Sequence, residues 1–295
     1  MSEQSAPATS TDPATSSTPA TSAAPLARLS LNQWTVRRWS VREAVDGCAR
    51  HGIGAMGLWR EHVAGHGLAR TAALVKDAGL RVSSLCRGGF VNRPGWLDDN
   101  KAAIDEAAAL GASCLVLVVG GLPAGDRDLA AARTRVAEAI AVLEPIAAAA
   151  AVRLALEPMH PMYCADRGVL STLSQALDVA AKHPAASVGV MVDTFHLWWD
   201  PEVAAQIARA GRAERIAGFQ VSDFLVPLPA DVLLGRAMMG DGVIDFGPLC
   251  QAVSAAGYDG DIEVEIFNAD VWSADPDEVL TQLKHRYATL IAPHV

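Results

Sequence analysis

The chain has 295 residues, of which 51% are hydrophobic and 19% are charged, and its formal net charge at pH 7 is -9. This proportion of apolar residues is enough to bury one large core. The negative charge argues against binding to nucleic acids or acidic membrane surfaces, because both are themselves negative. No apolar run reaches the length of a membrane span, so we expect no membrane partner.

Residues 1–25 are dominated by Ser, Thr, Ala and Pro. Such a segment cannot bury enough apolar surface to offset the entropy lost on ordering, so we predict a disordered N-terminal tail. It also lacks the basic and apolar regions of a signal peptide. The five cysteines are scattered without a C-x-x-C pair, which favours free thiols in a reducing compartment. We therefore predict a cytoplasmic protein whose folded part begins near Leu26.

From Leu26 onward, short apolar runs alternate with segments of helical period, which is typical of repeated βα units in an α/β protein. Eight units favour a closed (β/α)8 TIM barrel over residues 26–295. An open doubly wound sheet is the alternative, but no G-x-G-x-x-G follows the first run. The predicted strands are 29–34, 55–59, 81–86, 114–119, 152–157, 188–193, 216–221 and 261–267. The predicted helices are 41–51, 68–78, 101–110, 128–150, 171–182, 201–210, 246–256 and 277–290.

Polar residues stand at the ends of the last four predicted strands, where such barrels carry their reactive groups. They are Glu157, Asp193, Gln220 and Glu265. Burying three carboxylates together is costly unless a cation or hydrogen bonds compensate them. Oxygen ligands suit Mn²⁺, Mg²⁺ or Co²⁺ better than a structural zinc. We therefore predict one divalent metal ion, although each residue taken singly is equally at home as a helix cap or surface group.

Several segments give the chain a resemblance to a known family. They are Leu-Ala-Leu-Glu157-Pro158, Val-Asp193-Thr-Phe-His196, Met239-Gly240-Asp241-Gly242-Val-Ile-Asp245-Phe246 and Glu265-Ile-Phe267. With these segments the chain resembles the xylose isomerase-like TIM barrels, also called sugar phosphate isomerases/epimerases. The family includes ketose 3-epimerases, hydroxypyruvate isomerase, inosose dehydratase and 3-dehydroshikimate dehydratase. The resemblance covers essentially everything after the N-terminal tail.

The resemblance implies that Glu157, Asp193 and Glu265 are metal ligands, while Gln220 stands where many members have a histidine. An amide oxygen is a weaker ligand than imidazole, yet it can coordinate a hard cation. Some 3-dehydroshikimate dehydratases are similar to this chain in having Gln there. The alternative for Gln220 is a strand residue that hydrogen-bonds to the neighbouring backbone.

The resemblance also implies that His196 and Arg236 hydrogen-bond the reacting oxygen of the substrate. A loop histidine and a solvated surface arginine are the alternatives for these two residues. Glu263 shares strand parity with Glu265, so we expect it to line the barrel interior or to pair with an arginine rather than to bind metal. Weaker candidates for the rim of the site, each equally compatible with plain packing, are Trp59, Arg60, Arg87, Trp198, Trp199 and Trp272.

The implied activity is isomerisation or epimerisation of a small polyhydroxy carbonyl compound through an enediolate. Glu157 and Glu265 would exchange the proton, and the alternative is a dehydratase or lyase built on the same residues. An abasic-site endonuclease would need a His-rich zinc cluster and a basic face, and neither is visible in the sequence. The expected partner is a carbohydrate or related polyol, with no nucleic acid and no membrane. Whether the chain forms a homo-oligomer stays open.

Overall fold

The computed structural model describes Met1 and residues 26–295, so all but the first residue of the predicted tail, 1–25, lies outside the described residues. In the described part, eight parallel strands close into a barrel, and the last strand pairs with the first. The predicted (β/α)8 barrel is confirmed. We number the barrel strands one to eight in chain order: Leu29–Asn32, Ala55–Trp59, Arg81–Gly89, Leu115–Val118, Leu154–Leu156, Val188–Asp193, Ile216–Val221 and Ile262–Val264.

Helices surround the barrel, and each predicted helix has its counterpart. The main helices are Val41–His51, Leu68–Asp77, Trp96–Leu110, Leu129–Ala149, Leu173–Ala180, Val203–Arg212, Phe246–Ala255 and Pro276–Leu290. Three shorter helices that the sequence did not predict are Arg60–His66, Thr194–Leu197 and Ala269–Ser273, and the 3-10 turns are Gln33–Val36, Pro161–Tyr163, Val232–Leu234 and Ala292–His294. Within residues 26–295, none of the helices combines the length and hydropathy that a membrane crossing requires.

Local sequence explains where the first and last main helices begin. Ser40 accepts a hydrogen bond from the backbone of Glu43, whose side chain in turn accepts one from the backbone of Ser40, which forms a capping box. The Asp275 side chain accepts hydrogen bonds from the backbone N–H groups of Asp277 and Glu278. Pro276 tolerates the first helical position because it has no N–H to leave unpaired. These caps fix the helices on either side of the junction between the first and last strands.

The third strand and the helix after it differ most from the prediction. The strand continues to Gly89 rather than ending at Cys86, and the helix starts at Trp96 rather than at residue 101. The buried Asn100 accounts for both differences, because its side chain accepts from the Gly89 N–H at 2.6 Å and donates to the Gly89 carbonyl at 2.8 Å. It also donates to the Trp96 carbonyl at 2.7 Å. This pairing holds the end of the strand against the helix.

The barrel interior is packed rather than open. A large apolar core fills the space between strands and helices, and a separate, smaller cluster consists of Trp59, Cys86, Cys114, Val116, Ala155, Met191, Ala217 and Phe267. Several of these residues also line the cavity at the carboxyl ends of the strands. The smaller cluster therefore supports that cavity from below, in the way side-chain layers fill such barrels.

Candidate active site

A cavity of about 160 Å³ lies at the carboxyl ends of the barrel strands. Its surroundings divide into three parts that we name by their chemistry. The acidic cluster is Glu157, Asp193 and Glu265 with His196 and Arg236; the aromatic wall is Trp34, Trp59 and Phe267; and the basic wall is Arg87 and Arg167. Glu61, Cys86, Val116, Val118, Met159, Tyr163 and Leu233 complete the lining.

The acidic cluster brings together carboxylates at the carboxyl ends of strands five, six and eight around one guanidinium. Arg236 Nη2 lies 2.7 Å from Asp193 Oδ2 and 3.1 Å from Glu265 Oε2, while Nη1 donates to Ser222 Oγ at 3.0 Å. No group of the described residues donates a hydrogen bond to Glu157, although its side chain is only 6% exposed. Glu157 is therefore the carboxylate of this cluster most in need of a partner.

Burial and mutual repulsion govern the ionisation of this cluster. Burial raises the pKa of Glu157 well above its ordinary value, and the neighbouring charges of Glu265 and Asp193 raise it further. Burial likewise raises the pKa of Glu265, although Arg236 acts in the opposite direction. Burial disfavours the charge on Arg236, but Asp193 and Glu265 outweigh that effect and raise the pKa of its guanidinium. The cluster thus has more buried negative charge than one arginine balances.

His196 presents a hydrogen-bond donor to the cavity. Its Nδ1 accepts from the backbone N–H of His160 at 3.1 Å, and burial lowers the pKa of its imidazole well below the ordinary value. A neutral ring with an accepting Nδ1 carries its proton on Nε2. Nε2 lies 3.9 Å from both Glu157 Oε1 and Asp193 Oδ2, beyond hydrogen-bonding distance. The Nε2 proton is therefore free for an oxygen atom in the cavity.

Arg236 reaches the same place as His196 but is already engaged. Its Nη2 lies 3.2 Å from His196 Nε2, and since both atoms are donors the contact is not a hydrogen bond. Nη2 donates instead to Asp193 and approaches Glu265. Arg236 is thus buried beside the cavity rather than solvated at the surface, and there it balances the carboxylates.

Gln220 is oriented by a second buried carboxylate. Its Nε2 donates to Glu263 Oε1 at 2.9 Å, and because an ionised carboxylate can only accept, this contact fixes which end of the amide faces Glu263. Glu263 also accepts from Asn32 Nδ2 at 2.6 Å, and the hydroxyls of Ser83 and Ser84 donate to it as well. Glu263 therefore lines the barrel interior, which was one of the two alternatives predicted from the sequence. Within residues 26–295, no arginine pairs with it.

The residues present fit a divalent cation. The Oε1 atom of Gln220 is buried and has no hydrogen-bond partner in the described part of the chain, which is costly for an amide oxygen. Asp193 and Glu265 keep acceptor capacity beside Arg236, since each carboxylate oxygen has two lone pairs. The three carboxylates of the acidic cluster are buried with a single guanidinium, so a cation would relieve an excess of negative charge. Oxygen donors of this kind suit hard cations.

A short hairpin after strand seven delivers Arg236 to the site. Its two-residue strands, Asp223–Phe224 and Arg236–Ala237, pair antiparallel, and the intervening loop carries Leu233 into the lining of the cavity. Asp223 accepts hydrogen bonds from the backbone N–H groups of Phe224, Gly240, Gly242 and Ile244. The glycine-rich segment singled out in the sequence is thus folded around one carboxylate, close to the base of the hairpin.

A family model described as "Xylose isomerase-like TIM barrel" matches residues 45–288. The chain belongs to the xylose isomerase-like TIM barrel family. It is 47% identical to protein SMc04130 from Sinorhizobium meliloti 1021, with a TM-score of 0.87 and coverage of 90% of this chain and 98% of that one. No curated protein sequence matches the chain.

More distant structures share the fold of this family member. The IOLI protein with a bound zinc atom is 19% identical, with a TM-score of 0.79 and coverage of 91% of this chain and 99% of that one. D-psicose 3-epimerase with D-tagatose, from Clostridium cellulolyticum H10, is 15% identical, with a TM-score of 0.70 and coverage of 90% and 99%. At these identities the likeness concerns the fold alone, and it agrees with the resemblance predicted from the sequence.

Only some of the weaker candidates for the rim of the site line the cavity. Trp59 and Arg87 line the cavity, whereas Trp198, Trp199 and Trp272 do not. Arg60 points away and pairs with Glu106 at 2.6 Å and Asp99 at 2.9 Å. Trp272 donates to the Trp34 carbonyl and packs against Phe267, so it supports the aromatic wall from behind.

Sequence reasoning missed three residues of the site in this barrel. Asn32 Nδ2 donates to Glu265 Oε1 at 2.9 Å as well as to Glu263, and its Oδ1 accepts from the indole of Trp59 at 2.8 Å. Trp34 and Cys86 line the cavity. Asn32 ends the first strand of the structure, but the predicted strand continued to Trp34, so the rule that selected the polar ends of the later strands did not reach Asn32. Trp34 and Cys86 carry no comparable signal, because apolar residues are expected throughout such strands.

Proposed function

We propose that the chain is a divalent-metal-dependent isomerase or epimerase of a small polyhydroxy carbonyl compound. The observation that carries the proposal is the convergence of two buried carboxylates, Glu157 and Glu265, with the free Nε2 donor of His196 on one small cavity. Proton transfer next to a carbonyl needs this combination of a base, a returning acid and a donor for the oxygen. The fold shared with a D-psicose 3-epimerase supports the substrate class by analogy.

Glu157, Asp193, Gln220 and Glu265 would hold the ion, which is the ligand set expected from the sequence. When bound, it would supply Lewis-acid polarisation of the substrate carbonyl and would offset the charge of the acidic cluster. Mn²⁺, Mg²⁺ and Co²⁺ all suit three carboxylates and an amide oxygen. The zinc atom bound to the IOLI protein makes zinc a further ion to include in metal analysis.

The proton would move between substrate carbon and the carboxylates of strands five and eight. Glu157 lies on the fifth strand side and Glu265 on the eighth, so the two face the cavity from different sides. Raised pKa values help both groups, since a carboxylate that is harder to ionise is a stronger base. One carboxylate would remove the proton, and the other would return it.

His196 and Arg236 would stabilise the oxygen on which negative charge develops. The Nε2 proton of His196 has no partner, so it can be donated without breaking an existing bond. Arg236 would have to exchange one of its carboxylate contacts in order to donate to the same oxygen. His196 is therefore the primary donor in this proposal, and Arg236 supports it electrostatically.

A metal-dependent dehydratase or lyase is the second candidate function. The observation that favours it is Gln220, an amide where many members of the family have histidine, since the resemblance in this respect is to 3-dehydroshikimate dehydratases. Such an enzyme would remove the same proton with one carboxylate. The hydroxyl group of the neighbouring carbon would then leave as water, protonated by the other carboxylate.

Reaction in D₂O distinguishes the two functions. We would load the protein with metal, supply keto sugars, inososes and 3-dehydroshikimate in turn, and recover each compound. An isomerase or epimerase incorporates deuterium at the reacting carbon of the recovered carbohydrate. A lyase instead gives an unsaturated product with a conjugated chromophore. Metal analysis that finds no ion in supplemented protein, together with no response to chelator, would overturn the metal-dependent proposal.

A further inference from the structure

The basic wall of the cavity holds two arginines that are weakly paired within the described residues. The guanidinium of Arg87 stacks on the ring of Phe90, with Cζ 4.3 Å from the ring centroid, and makes no hydrogen bond or ion pair with any described residue. The acid paired with Arg167 is its neighbour Asp166, whose Oδ2 atom lies 3.5 Å from Arg167 Nε. The Asp166 side chain is 63% exposed. An exposed pair of this kind contributes little binding energy.

A third arginine adds to the positive charge at this wall. The guanidinium of Arg93 lies 3.8 Å from the centroid of the same Phe90 ring. Burial lowers the pKa of Arg87; Glu61 acts against this, and the charges of Arg93 and Arg167 add to it. Glu61 also lines the cavity, but it is exposed and makes no ion pair with Arg87. Like charges placed together in a partly buried wall repel one another unless an anion joins them.

We propose that Arg87 and Arg167 form an anion subsite, and that the substrate carries a carboxylate or phosphate group. The inference rests on the proposed function, because the subsite belongs to the same cavity as the acidic cluster. The carbonyl end of the substrate would face Glu157 and Glu265, the carbon skeleton would contact the aromatic wall, and the charged group would reach the basic wall. The forked geometry of arginine suits both carboxylate and phosphate oxygens.

The subsite can be tested by anion binding, without turnover. Inorganic phosphate and glycolate would be titrated into chelator-treated protein and followed by calorimetry, with Arg87→Gln and Arg167→Gln beside the wild type. We expect each variant to weaken binding of the preferred anion about tenfold or more, because a charge-assisted hydrogen bond is lost. The anion that binds more tightly identifies phosphate or carboxylate as the recognised group.

Two controls guard the test against trivial outcomes. Arg209→Gln removes a guanidinium on an outer helix that pairs with Asp178 at 2.8 Å, so it should leave anion binding unchanged. Arg87→Lys keeps the charge and should retain most of the binding that Arg87→Gln loses. The subsite would be overturned if each anion bound to Arg87→Gln and Arg167→Gln as tightly as to the wild type. It would also be overturned if neither anion bound measurably to the wild type.

A kinetic comparison separates failure of this inference from failure of the proposed function. Metal-loaded protein would be given a neutral ketose, its terminal phosphate and its terminal carboxylic acid in D₂O. We expect faster deuterium incorporation with one charged form, and we expect Arg87→Gln to remove that advantage. Equal exchange with all three, unchanged in Arg87→Gln, overturns the subsite alone. Anion binding that depends on Arg87, with no exchange or elimination in any compound, supports the subsite and overturns the proposed function.

Discussion

The two ends of the barrel treat their arginines in opposite ways. At the amino ends of the strands, a cavity of about 830 Å³ is lined by Arg28, Arg81 and Arg153. Each of them donates to backbone carbonyl groups of neighbouring segments, as Arg28 does to Gly260 at 2.8 Å and to Tyr258 at 2.9 Å. These arginines therefore complete the hydrogen bonding of the strand beginnings.

At the carboxyl ends, the cavity is far smaller, yet its charged groups are poorly matched. Glu157 accepts no hydrogen bond from the described residues, the Gln220 Oε1 atom has no partner there, and Arg87 makes no ion pair with them. These unmatched groups lie at the carboxyl ends of the strands, which is the general position of sites in such barrels.

The largest expected effect comes from the carboxylates of the acidic cluster. Glu157→Gln, Asp193→Asn and Glu265→Gln each remove one charge at nearly constant size. We expect each to weaken metal binding, and the two glutamate variants to lower turnover about 10³-fold because they also lose a proton carrier. Metal content by atomic absorption, measured beside the rate, separates the two contributions. Three variants that all retain one ion per chain with wild-type affinity would contradict the predicted ligand set.

A metal-free wild type provides the corresponding stability test. A bound ion stabilises the folded chain by about 2.7 kcal/mol when its free concentration is 100 times the dissociation constant. Chelator should therefore lower the melting temperature of the wild type and have a smaller effect on the three variants.

A smaller effect is expected for His196→Asn. This change removes the free Nε2 donor while leaving the proposed ligands in place, so it should keep the metal and lower turnover about 10²-fold. His285→Asn, an exposed position on the last helix, serves as the matched control and should behave like the wild type. Wild-type turnover of His196→Asn at full metal occupancy would make His196 structural and leave Arg236 as the donor.

The smallest expected effects are on the melting temperature, when one arginine at each end of the barrel is replaced. Arg28→Met leaves two carbonyl groups without their donor, so we expect a loss of about 1–3 kcal/mol and a melting temperature lower by several degrees, with unchanged turnover. Arg87→Met should lower the melting temperature less than Arg28→Met does, since it relieves repulsion and loses only the stacking of the guanidinium on Phe90. Thermal melts of both variants check this. The opposite order of melting temperatures would remove the distinction between structural and ligand-binding arginines.

The barrel could be predicted from the sequence because its signals are local. Apolar runs, helical periods and glycine turns each depend on a few neighbouring residues, and they specify eight units before any long-range contact is known. The strand-end rule, applied to the same runs, selected Glu157, Asp193, Gln220 and Glu265. The family match confirms the resemblance, whereas the ligand roles of these four residues stay predictions.

Features that depend on distant partners could not be predicted. The polar run Asp98-Asp99-Asn100 gave no sign that Asn100 is buried, because its partner Gly89 lies on the preceding strand. The partners of Glu263 come from the first, third and seventh strands, so the sequence could place Glu263 inside the barrel but could not say whether an arginine, an amide or a hydroxyl would meet it. The stacking of Arg87 and Arg93 on one ring was equally hidden.

The hairpin that carries Arg236 has two parts, one that positions this residue and one that contacts the cavity. Its paired ends include Asp223, whose side chain accepts hydrogen bonds from the glycine-rich segment, and this arrangement holds Arg236 in position. The loop between them only touches the cavity, through Leu233, and meets Tyr163, whose hydroxyl donates to the Val232 carbonyl at 2.9 Å. Insertions or exchanges in residues 225–235 would therefore change which molecules enter while the reacting groups stay fixed. We expect that substitutions in this loop, whether natural or introduced by directed evolution, can alter the substrate range without disturbing the barrel.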